Sequence, residues 1–414
     1  MVLHEVEVQP RKLDDYAADA GDEAVERLRA AAEPIRGLRL LHVNSTSYGG
    51  GVAELLSSQV PLLKDLGIEA EWAVIDGSDE FFAVTKAMHN GLQGMDVGWT
   101  SGMESVYWER MRANALSFPD GYDVVLIHDP QPLGILRVLE DERRREGTWV
   151  WRCHIDLSQP DDGVRGFIEP IANRYDQVVF TLEEFAQAGI IDPGLAFIPP
   201  SIDPTTDKNR QLPAGVVTEV LHRYGIDPEH PLVVQVSRFD PWKDPIGVID
   251  AFRSAREQVP GLQLVMAGAM ASDDPEGQEY LQRTVHHAAN DPGIRLLTDA
   301  DGVGHAEVNA FQTAADVVIQ KSIREGFGLV VAEALWKGAP VIGGNVGGIR
   351  IQIVDGETGY LVDTPAECGT RLTELLRDPA LRRRMGDTGR EWVRRRFLCL
   401  REVEDHVRLF ASLA

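Results

Sequence analysis

Cysteine and long apolar runs are both scarce in this chain of 414 residues. The three cysteines lie far apart and form no CxxC pair, which argues against a disulfide framework or a zinc site and favours a reducing compartment. No apolar run approaches the roughly 18–20 residues that are needed to cross a bilayer. The N-terminus also lacks the basic-then-apolar order of a signal peptide. These absences predict a cytoplasmic protein that does not enter a membrane.

Basic residues are few as well: 41 Lys and Arg stand against 65 Asp and Glu, which gives a formal net charge of −24. Nucleic acids and anionic membranes are bound by clustered lysine and arginine, so this balance argues against both as partners. The same field repels an anionic substrate. A site for such a substrate must therefore carry its own concentrated positive charge.

The distribution of apolar runs predicts an α/β fold. A chain of this length is too long for one ordinary core and suggests two or three domains. Nearly continuous apolar runs alternate with helical patterns, as in parallel sheets that helices cover on both faces. A proline-rich break at 198–204 separates two such series, which predicts two doubly wound, Rossmann-like parallel-sheet domains facing each other across a cleft. The predicted strands are 38–44, 122–128, 148–154 and 177–180 before the break, and 231–237, 262–268, 315–320 and 340–343 after it.

These patterns divide the chain into four predicted regions. Residues 1–36 form an acidic, helix-prone extension, and 37–205 form the first Rossmann-like domain. Residues 206–390 form the second domain, and 391–414 form a C-terminal helix expected to cross back to the first. Active sites in such folds lie outside the carboxyl ends of the strands. Polar residues at those strand ends are therefore the candidates for chemistry.

Two glutamates, Glu325 and Glu333, lie eight positions apart on either side of a Gly-Phe-Gly turn at 326–328. The turn is predicted to open a helix, whose free backbone N–H groups attract anions. A carboxylate on each side can accept hydrogen bonds from polyol hydroxyls. Together these features fit a nucleotide sugar, with its anionic diphosphate and its hydroxyl-rich ribose and hexose. An ordinary loop and helix start is the alternative interpretation.

Arg238 and Lys243 follow the first strand predicted after the proline-rich break. A planar guanidinium fork and a compact ammonium group both suit a diphosphate. In a sugar transfer they would stabilise negative charge on the departing diphosphate. The alternative is a surface ion pair of Lys243 with Asp240 or Asp244.

The glycine run 49–51 follows the first predicted strand and opens the first long helix. Glycine lets the backbone approach a phosphate closely at the positive end of a helix. The run is neither a dinucleotide GxGxxG nor a Walker A sequence, which disfavours a nicotinamide dehydrogenase. A flexible turn is the alternative.

His154 and Asp129 each follow a predicted strand in the first half of the chain. The histidine could bind a sugar hydroxyl or exchange a proton near neutral pH, and a purely structural histidine is the alternative. Asp129 could orient the hydroxyls of an acceptor, and Gln131 could add a donor. The DxD sequence at 299–301 is interpreted as solvated, and 273–274 and 286–287 are weaker candidates still.

These motifs together resemble the retaining GT-B glycosyltransferases of the sucrose- and glycogen-synthase-like group, family four, over most of residues 38–395. Longer strings at 42–54, 125–132, 151–158 and 235–243 resemble the trehalose-forming, glycosyltransferring synthases of that group. The resemblance implies reversible transfer of glucose from a nucleoside diphosphate glucose to free glucose. The products would be trehalose and the nucleoside diphosphate, with the anomeric configuration retained.

The resemblance also implies a role for each site residue. The diphosphate would be bound by Arg238 and Lys243, with Gly50 and Gly51 approaching it from the first domain, and the ribose by Glu333. The donor glucose would be held by Glu325, Gly326, Phe327, Gly328 and His154, and the acceptor by Asp129, Gln131 and Asp156. Glu325, Arg238, Lys243 and His154 would be the catalytic group.

No tightly bound cofactor and no metal-ligand set are predicted, although a divalent cation such as Mg²⁺ could assist. The co-substrate would be ADP-, GDP- or UDP-glucose. The expected partners are these substrates, glucose, trehalose and a second copy of the chain in a homodimer. A trehalose phosphorylase of the same fold, a transferase forming trehalose 6-phosphate and a non-catalytic nucleotide-sugar-binding protein are the competing interpretations.

Overall fold

The computed structural model describes residues 3–48, 50–186, 189–268 and 275–413. Gly49 of the glycine run and the pair Asp273–Asp274 lie outside these ranges. The chain forms two compact units. Unit 1 comprises residues 1–201 and 399–414, and unit 2 comprises residues 202–398.

Strands and helices alternate through both units, as the patterning predicts. The strands are β1 (Leu3–Glu5), β2 (Arg39–Asn44), β3 (Glu69–Ile75), β4 (Val124–His128), β5 (Thr148–Arg152), β6 (Gln177–Phe180), β7 (Gly194–Phe197), β8 (Leu232–Val236), β9 (Gln263–Gly268), β10 (Ile294–Thr298), β11 (Val317–Gln320), β12 (Val341–Gly344) and β13 (Gly359–Val362). The helices are α1 (Ala17–Ala20), α2 (Asp22–Ala32), α3 (Gly51–Asp65), α4 (Asp79–Leu92), α5 (Ser101–Ala115), α6 (Ile135–Asp141), α7 (Asp162–Ala172), α8 (Ala214–Arg223), α9 (Pro245–Arg256), α10 (Pro275–Ala288), α11 (His305–Ala314), α12 (Leu329–Trp336), α13 (Ile349–Gln352), α14 (Pro365–Arg377), α15 (Pro379–Arg396) and α16 (Cys399–Leu413).

Each unit is built on one predominantly parallel sheet. The order in unit 1 is β1-β3-β2-β4-β5-β6-β7, in which β1 alone runs antiparallel to its neighbour. The order in unit 2 is β10-β9-β8-β11-β12-β13, with every pair parallel. The predicted fold class of two parallel-sheet α/β domains is confirmed.

Burial on both faces explains why the central strands are nearly continuously apolar. In β4, Val125 and Ile127 belong to one hydrophobic cluster of unit 1, whereas Val124 and Leu126 belong to another. Successive side chains of a strand point to opposite faces, so both faces of the sheet are covered. Every residue of β4 and of β8 is buried as a result.

The two termini of the chain lie in unit 1. Leu13, Tyr16 and Leu28 are buried in the same cluster as Val403 and Phe410 of α16. The predicted extension 1–36 therefore contributes to a core, and the final helix begins at Cys399 after a separate helix, α15. The predicted division at residue 205 lies close to the limit of unit 1. No helix in the described part of the chain is long and apolar enough to cross a membrane.

Candidate active site

Unit 2 brings its candidate residues together at the carboxyl ends of two neighbouring strands. β8 leads into the loop that carries Arg238 and Lys243, and β11 leads into the segment with Glu325. These strands are paired in parallel, with Val318 beside Val234, so both loops leave the same edge of the sheet.

Lys243 and Glu325 form an ion pair that joins the two loops. The ammonium Nζ lies 2.6 Å from Oε2 of the carboxylate, and the side chains are only 16% and 11% exposed. The same oxygen accepts hydrogen bonds from Ser322 Oγ at 3.0 Å and Gln320 Nε2 at 3.4 Å. The surface ion pair of Lys243 with Asp240 or Asp244, which the sequence also allowed, is not what the structure shows.

The charge of Lys243 sets the protonation of Glu325. Burial alone raises the pKa of Glu325, but the nearby ammonium and the three hydrogen bonds outweigh it, so the pKa lies below its ordinary value. Glu325 is therefore a carboxylate at neutral pH. It can accept hydrogen bonds from sugar hydroxyls or stabilise positive charge on a sugar ring, and it cannot serve as a proton donor.

Arg238 is the most accessible cation of this loop. Its side chain is 53% exposed, and one guanidinium nitrogen lies 3.4 Å from Oδ2 of Asp240. Burial raises the pKa of Asp240, and the charges of Lys243 and Arg238 only partly offset that effect. The guanidinium thus retains exposed donors that an anionic ligand can approach.

The Gly-Phe-Gly turn is held in place by Gln352, which sequence reasoning missed, and by the close approach of Gly348. Gln352 is fully buried, and its Nε2 donates to the carbonyl oxygen of Phe327 at 2.6 Å. Gly348 lies so close that a Cβ there would stand 2.5 Å from Cα of Phe327. Gly328 has a φ of +81° and precedes α12, a conformation that favours glycine. The turn is therefore tightly packed from behind.

Glu333 lies on α12 but is inaccessible. Its side chain has no exposed surface, and Oε1 lies 2.6 Å from Nζ of Lys208. Gln312 Nε2 donates to the other carboxylate oxygen at 3.4 Å. A ribose could reach this carboxylate only after Lys208 moves aside. Sequence reasoning missed Lys208 because it lies far from Glu333 in the chain and follows no predicted strand.

Unit 1 places its candidates at the ends of β4 and β5. Oδ1 of Asp129 accepts a hydrogen bond from the backbone N–H of His154 at 2.9 Å. Burial raises the pKa of Asp129 to about 6, against opposing effects of that hydrogen bond and of Arg152.

His154 is neutral and joined to two further histidines. Its Nε2 lies 3.1 Å from Nδ1 of His128, whose Nε2 lies 3.1 Å from Nδ1 of His42. Burial lowers the pKa of His154 well below its usual range, and the charge of Arg152 adds to this. Sequence reasoning identified His128 as a strand-end residue but missed the connection to His42 in β2.

The remaining predicted residues of unit 1 are less constrained. Gly50 and Gly51 are exposed at the start of α3, and a Cβ on Gly50 would contact nothing within 4 Å. Oδ1 of Asp156 accepts the backbone N–H of Ser158 at 2.8 Å. Oε1 of Gln131 is buried without a hydrogen-bond partner among the described residues. Such a group is available for a donor on a ligand.

Two of the weaker candidates, 299–301 and 286–287, lie within the described residues. Asp299 and Asp301 lie in a short 3-10 turn, where Oδ2 of Asp301 accepts the backbone N–H of Thr298 at 2.8 Å. His287 pairs with Asp250 at 2.7 Å, and both side chains are partly exposed. Within the described ranges, no group of three or more His, Cys, Asp or Glu side chains is arranged to hold a metal ion.

Comparison with known proteins first defines the class. The family model for glycosyl transferases group 1 matches residues 217–392. The fold is also that of an Anabaena protein crystallised with UDP and glucose, with a TM-score of 0.68, 16% identity, and coverage of 91% of this chain and 100% of that one. The protein is therefore an enzyme of the GT-B glycosyltransferase class.

Relatives of similar length then define the family. The family model for the trehalose synthase N-terminal domain matches residues 42–187. A trehalose synthase of Rubrobacter xylanophilus is 46% identical over 100% of this chain and 99% of its own length. One of Pyrococcus horikoshii is 45% identical over 97% of both chains. The chain belongs to the trehalose synthase family. A trehalose phosphorylase of Pleurotus pulmonarius is a more distant relative, 27% identical over 92% of this chain and 58% of its own length.

Proposed function

We propose that this chain transfers glucose from a nucleoside diphosphate glucose to free glucose, forming trehalose with retention of the anomeric configuration. The reaction is reversible. Relatives at 43–46% identity carry the name trehalose synthase, which supports trehalose as the product. The single observation that carries the donor assignment is the buried ion pair of Lys243 with Glu325, beside the exposed guanidinium of Arg238.

In this proposal the diphosphate binds to the cations at the end of β8. Arg238 presents a half-exposed guanidinium, and the ammonium of Lys243 is paired with Glu325. The chain carries a net charge of −24, so these local cations are what attracts the anion. Their positive charge stabilises the diphosphate as it leaves.

The donor glucose binds to the other half of the ion pair. Glu325 is ionised and accepts hydrogen bonds from the hexose hydroxyls, and the backbone N–H groups of the turn 326–328 add donors. His154 donates to a hexose hydroxyl from unit 1. Asp129, with Gln131 and Asp156, binds the hydroxyls of the acceptor glucose. Gly50 and Gly51 approach the diphosphate, and Glu333 binds the ribose once Lys208 has moved.

The chemical step follows from these assignments. The bond between C1 of the donor and the phosphate oxygen breaks, and the anomeric oxygen of the acceptor attacks C1 from the same face. The acceptor's proton passes to a phosphate oxygen of the leaving diphosphate, so atoms and charge balance. Retention through a glycosidase-type covalent intermediate would need two carboxylates about 5–5.5 Å apart. Glu325 and Glu333 do not supply that pair, because Glu333 is fully buried against Lys208.

A donor panel tests this function. Purified protein and glucose are incubated with ADP-, GDP- or UDP-glucose, each with and without Mg²⁺, and the product is identified by NMR. We expect α,α-trehalose and the matching nucleoside diphosphate with at least one donor. Glucose 1-phosphate replaces the nucleotide in a parallel reaction. Trehalose formed from glucose 1-phosphate alone would instead identify a phosphorylase.

Two additional reactions test for a different acceptor and for binding without catalysis. Glucose 6-phosphate in place of glucose tests for a transferase that forms trehalose 6-phosphate. Calorimetric binding of a nucleoside diphosphate glucose without any turnover would identify a non-catalytic binding protein. The homodimer and the cytoplasmic location stay predictions, to be measured by light scattering of the purified chain and by cell fractionation.

A further inference from the structure

Three histidines of unit 1 form a continuous chain of hydrogen bonds, which we call the histidine relay: His42, His128 and His154. Both N···N distances are 3.1 Å. The ring centroids are 5.4 Å apart in each pair, and the ring planes are tilted by 22° and 14°. Nearly coplanar rings at this separation meet edge to edge, so each nitrogen lone pair faces the ring N–H of its neighbour.

The three rings are neutral. Burial lowers the pKa of His42 to about 3 and takes the pKa values of His128 and His154 well below their usual range. The charge of Arg152 adds to the effect on His128 and His154. A neutral imidazole has one N–H donor and one acceptor nitrogen.

Neutrality makes the relay directional. His128 uses both of its ring nitrogens in the relay, so it accepts through one and donates through the other. The two hydrogen bonds must therefore run the same way along the chain. Either all three rings carry their proton on Nδ1, or all three carry it on Nε2.

The buried end of the relay selects one direction. Nε2 of His42 is buried and has no hydrogen-bond partner among the described residues. A buried N–H without a partner is rarer in proteins than an unpaired acceptor. Nε2 of His42 therefore carries the lone pair, and Nδ1 carries the proton. The Nδ1–H group donates a hydrogen bond to Nε2 of His128.

We propose that His42 and His128 are positioning residues that hold His154 as a neutral imidazole with its proton on Nδ1. The consequence for catalysis rests on the proposed function. His154 then offers a fixed N–H donor to a sugar hydroxyl and has no free lone pair with which to remove a proton. The acceptor's proton must go elsewhere, which agrees with its transfer to the leaving phosphate.

Nitrogen NMR of the full chain labelled with ¹⁵N-histidine tests the tautomers directly. Histidine side chains in water prefer the Nε2–H tautomer, so three rings held as Nδ1–H form a distinctive signature. Resonances are assigned with single His→Phe variants. We expect Nδ1–H at positions 42, 128 and 154 in the wild-type protein at pH 7. An Nε2–H tautomer or a charged ring at His154 would overturn the proposal.

A variant at the start of the relay tests the coupling. His42→Phe keeps an aromatic ring in the core but removes the first donor, so His154 should shift towards Nε2–H. We expect kcat to fall by about tenfold with little change in KM for the donor. His287→Phe is the control, because His287 lies in unit 2, where it pairs with Asp250 at 2.7 Å. The control variant should keep the Nδ1–H tautomer at positions 42, 128 and 154, and its kcat should equal that of the wild-type protein.

The readouts separate the two proposals. If His42→Phe leaves His154 in its wild-type tautomer, or if both variants change it equally, the positioning role is wrong. If the wild-type protein shows the tautomers but transfers glucose from no nucleotide donor, the proposed function is wrong and the relay stands.

Discussion

The ion pair of Lys243 with Glu325 holds an ammonium group and a carboxylate in fixed positions, and each of them can bind a part of the substrate. Each charge is largely removed from water, and each compensates the cost of burying the other. Two further donors hold the carboxylate, so its orientation is fixed before a sugar arrives. Pre-oriented charges need little reorganisation during reaction.

Substitution of Glu325 by glutamine should nearly abolish transfer. The amide keeps the shape of the side chain but removes the charge that balances Lys243 and that binds hexose hydroxyls. We expect kcat/KM to fall by about 10²–10³-fold. Glu391→Gln is the control, because Glu391 pairs with Arg394 at 2.7 Å on the surface of α15. If Glu325→Gln turns over as fast as the wild-type protein, the role assigned to Glu325 is wrong.

Asp129 should make stability depend on pH. Its folded-state pKa is about 6 and thus lies above its ordinary value of 3.8, so the native chain holds a proton that the unfolded chain has released. The free energy of unfolding therefore falls as pH rises from about 4 to 6. Asp129→Asn keeps the acceptor for the His154 N–H and tolerates the φ of +62°.

Asp129→Asn should therefore have a free energy of unfolding about 1–3 kcal/mol higher than that of the wild-type protein at pH 7. Near pH 4 the two free energies should be equal. Urea titrations at both pH values measure the difference. KM for the acceptor should rise, because the amide offers the acceptor hydroxyls one oxygen fewer than the carboxylate does. Asp162→Asn, on an 88% exposed side chain, should leave the pH profile of stability unchanged.

The strand ends and the turn before α12 illustrate how parallel sheets build a site. β8 and β11 are adjacent, so loops that are far apart in the chain leave the same edge of the sheet. Ile323 N–H donates to the carbonyl of Trp242 at 2.7 Å, which ties the two loops together. The turn itself is held from behind by Gln352 and Gly348.

Gly348→Ala should displace that turn. Gly348 has an ordinary helical φ of −65°, so the effect would come from the added methyl group alone, which would meet Cα of Phe327 at 2.5 Å. We expect kcat/KM to fall by about 10²-fold, since a small displacement of binding groups is costly. Gly215→Ala is the matched control: outside the neighbouring backbone of its own helix, no atom lies within 4 Å of the new methyl group, and its activity should match wild type. Equal activity of the two variants would show that the turn is not part of the site.

The chain as a whole returns to its first unit after completing its second. α16 packs in the core of unit 1, and its Glu402 lies 3.8 Å from the fully buried guanidinium of Arg152. Burial lowers the pKa of Arg152 to about 10 and raises that of Glu402, and each charge partly offsets the effect on the other. The same helix carries His406, so the C-terminus is part of the surroundings of His154.

Phe410→Ala should therefore loosen unit 1. Phe410 has no exposed surface, and its loss should cost about 3–5 kcal/mol. Hydrogen exchange should become faster in β2 and β4, while β8 and β11 in unit 2 keep their protection. Leu116→Ala, at a 75% exposed position, should change stability by no more than about 0.5 kcal/mol. Faster exchange in unit 2 alone would contradict this assignment of α16.

Sequence patterning found most of the buried strands and missed those with exposed or charged residues. β4, β8 and β11 are continuous apolar runs and were predicted. β3 carries Glu69 and Glu71, and most of β7 is exposed, so neither gives the pattern of a buried strand. β1 is short and β10 is mixed in character, whereas β13 was missed although three of its four residues are buried. A strand at or near a sheet edge needs fewer apolar residues, and its signal is correspondingly weak.

The sequence was sufficient for the α/β class, the two series of strands and the polar residues that follow them, because these depend on local periodicity and on residue type. The folded chain was needed for the partners of those residues. Lys243 and Glu325 are 82 positions apart, and His42 and His128 are 86 positions apart. Lys208 covers Glu333 from a segment with no motif. Contacts between side chains so distant in sequence follow from strand order and packing, which local patterns do not encode.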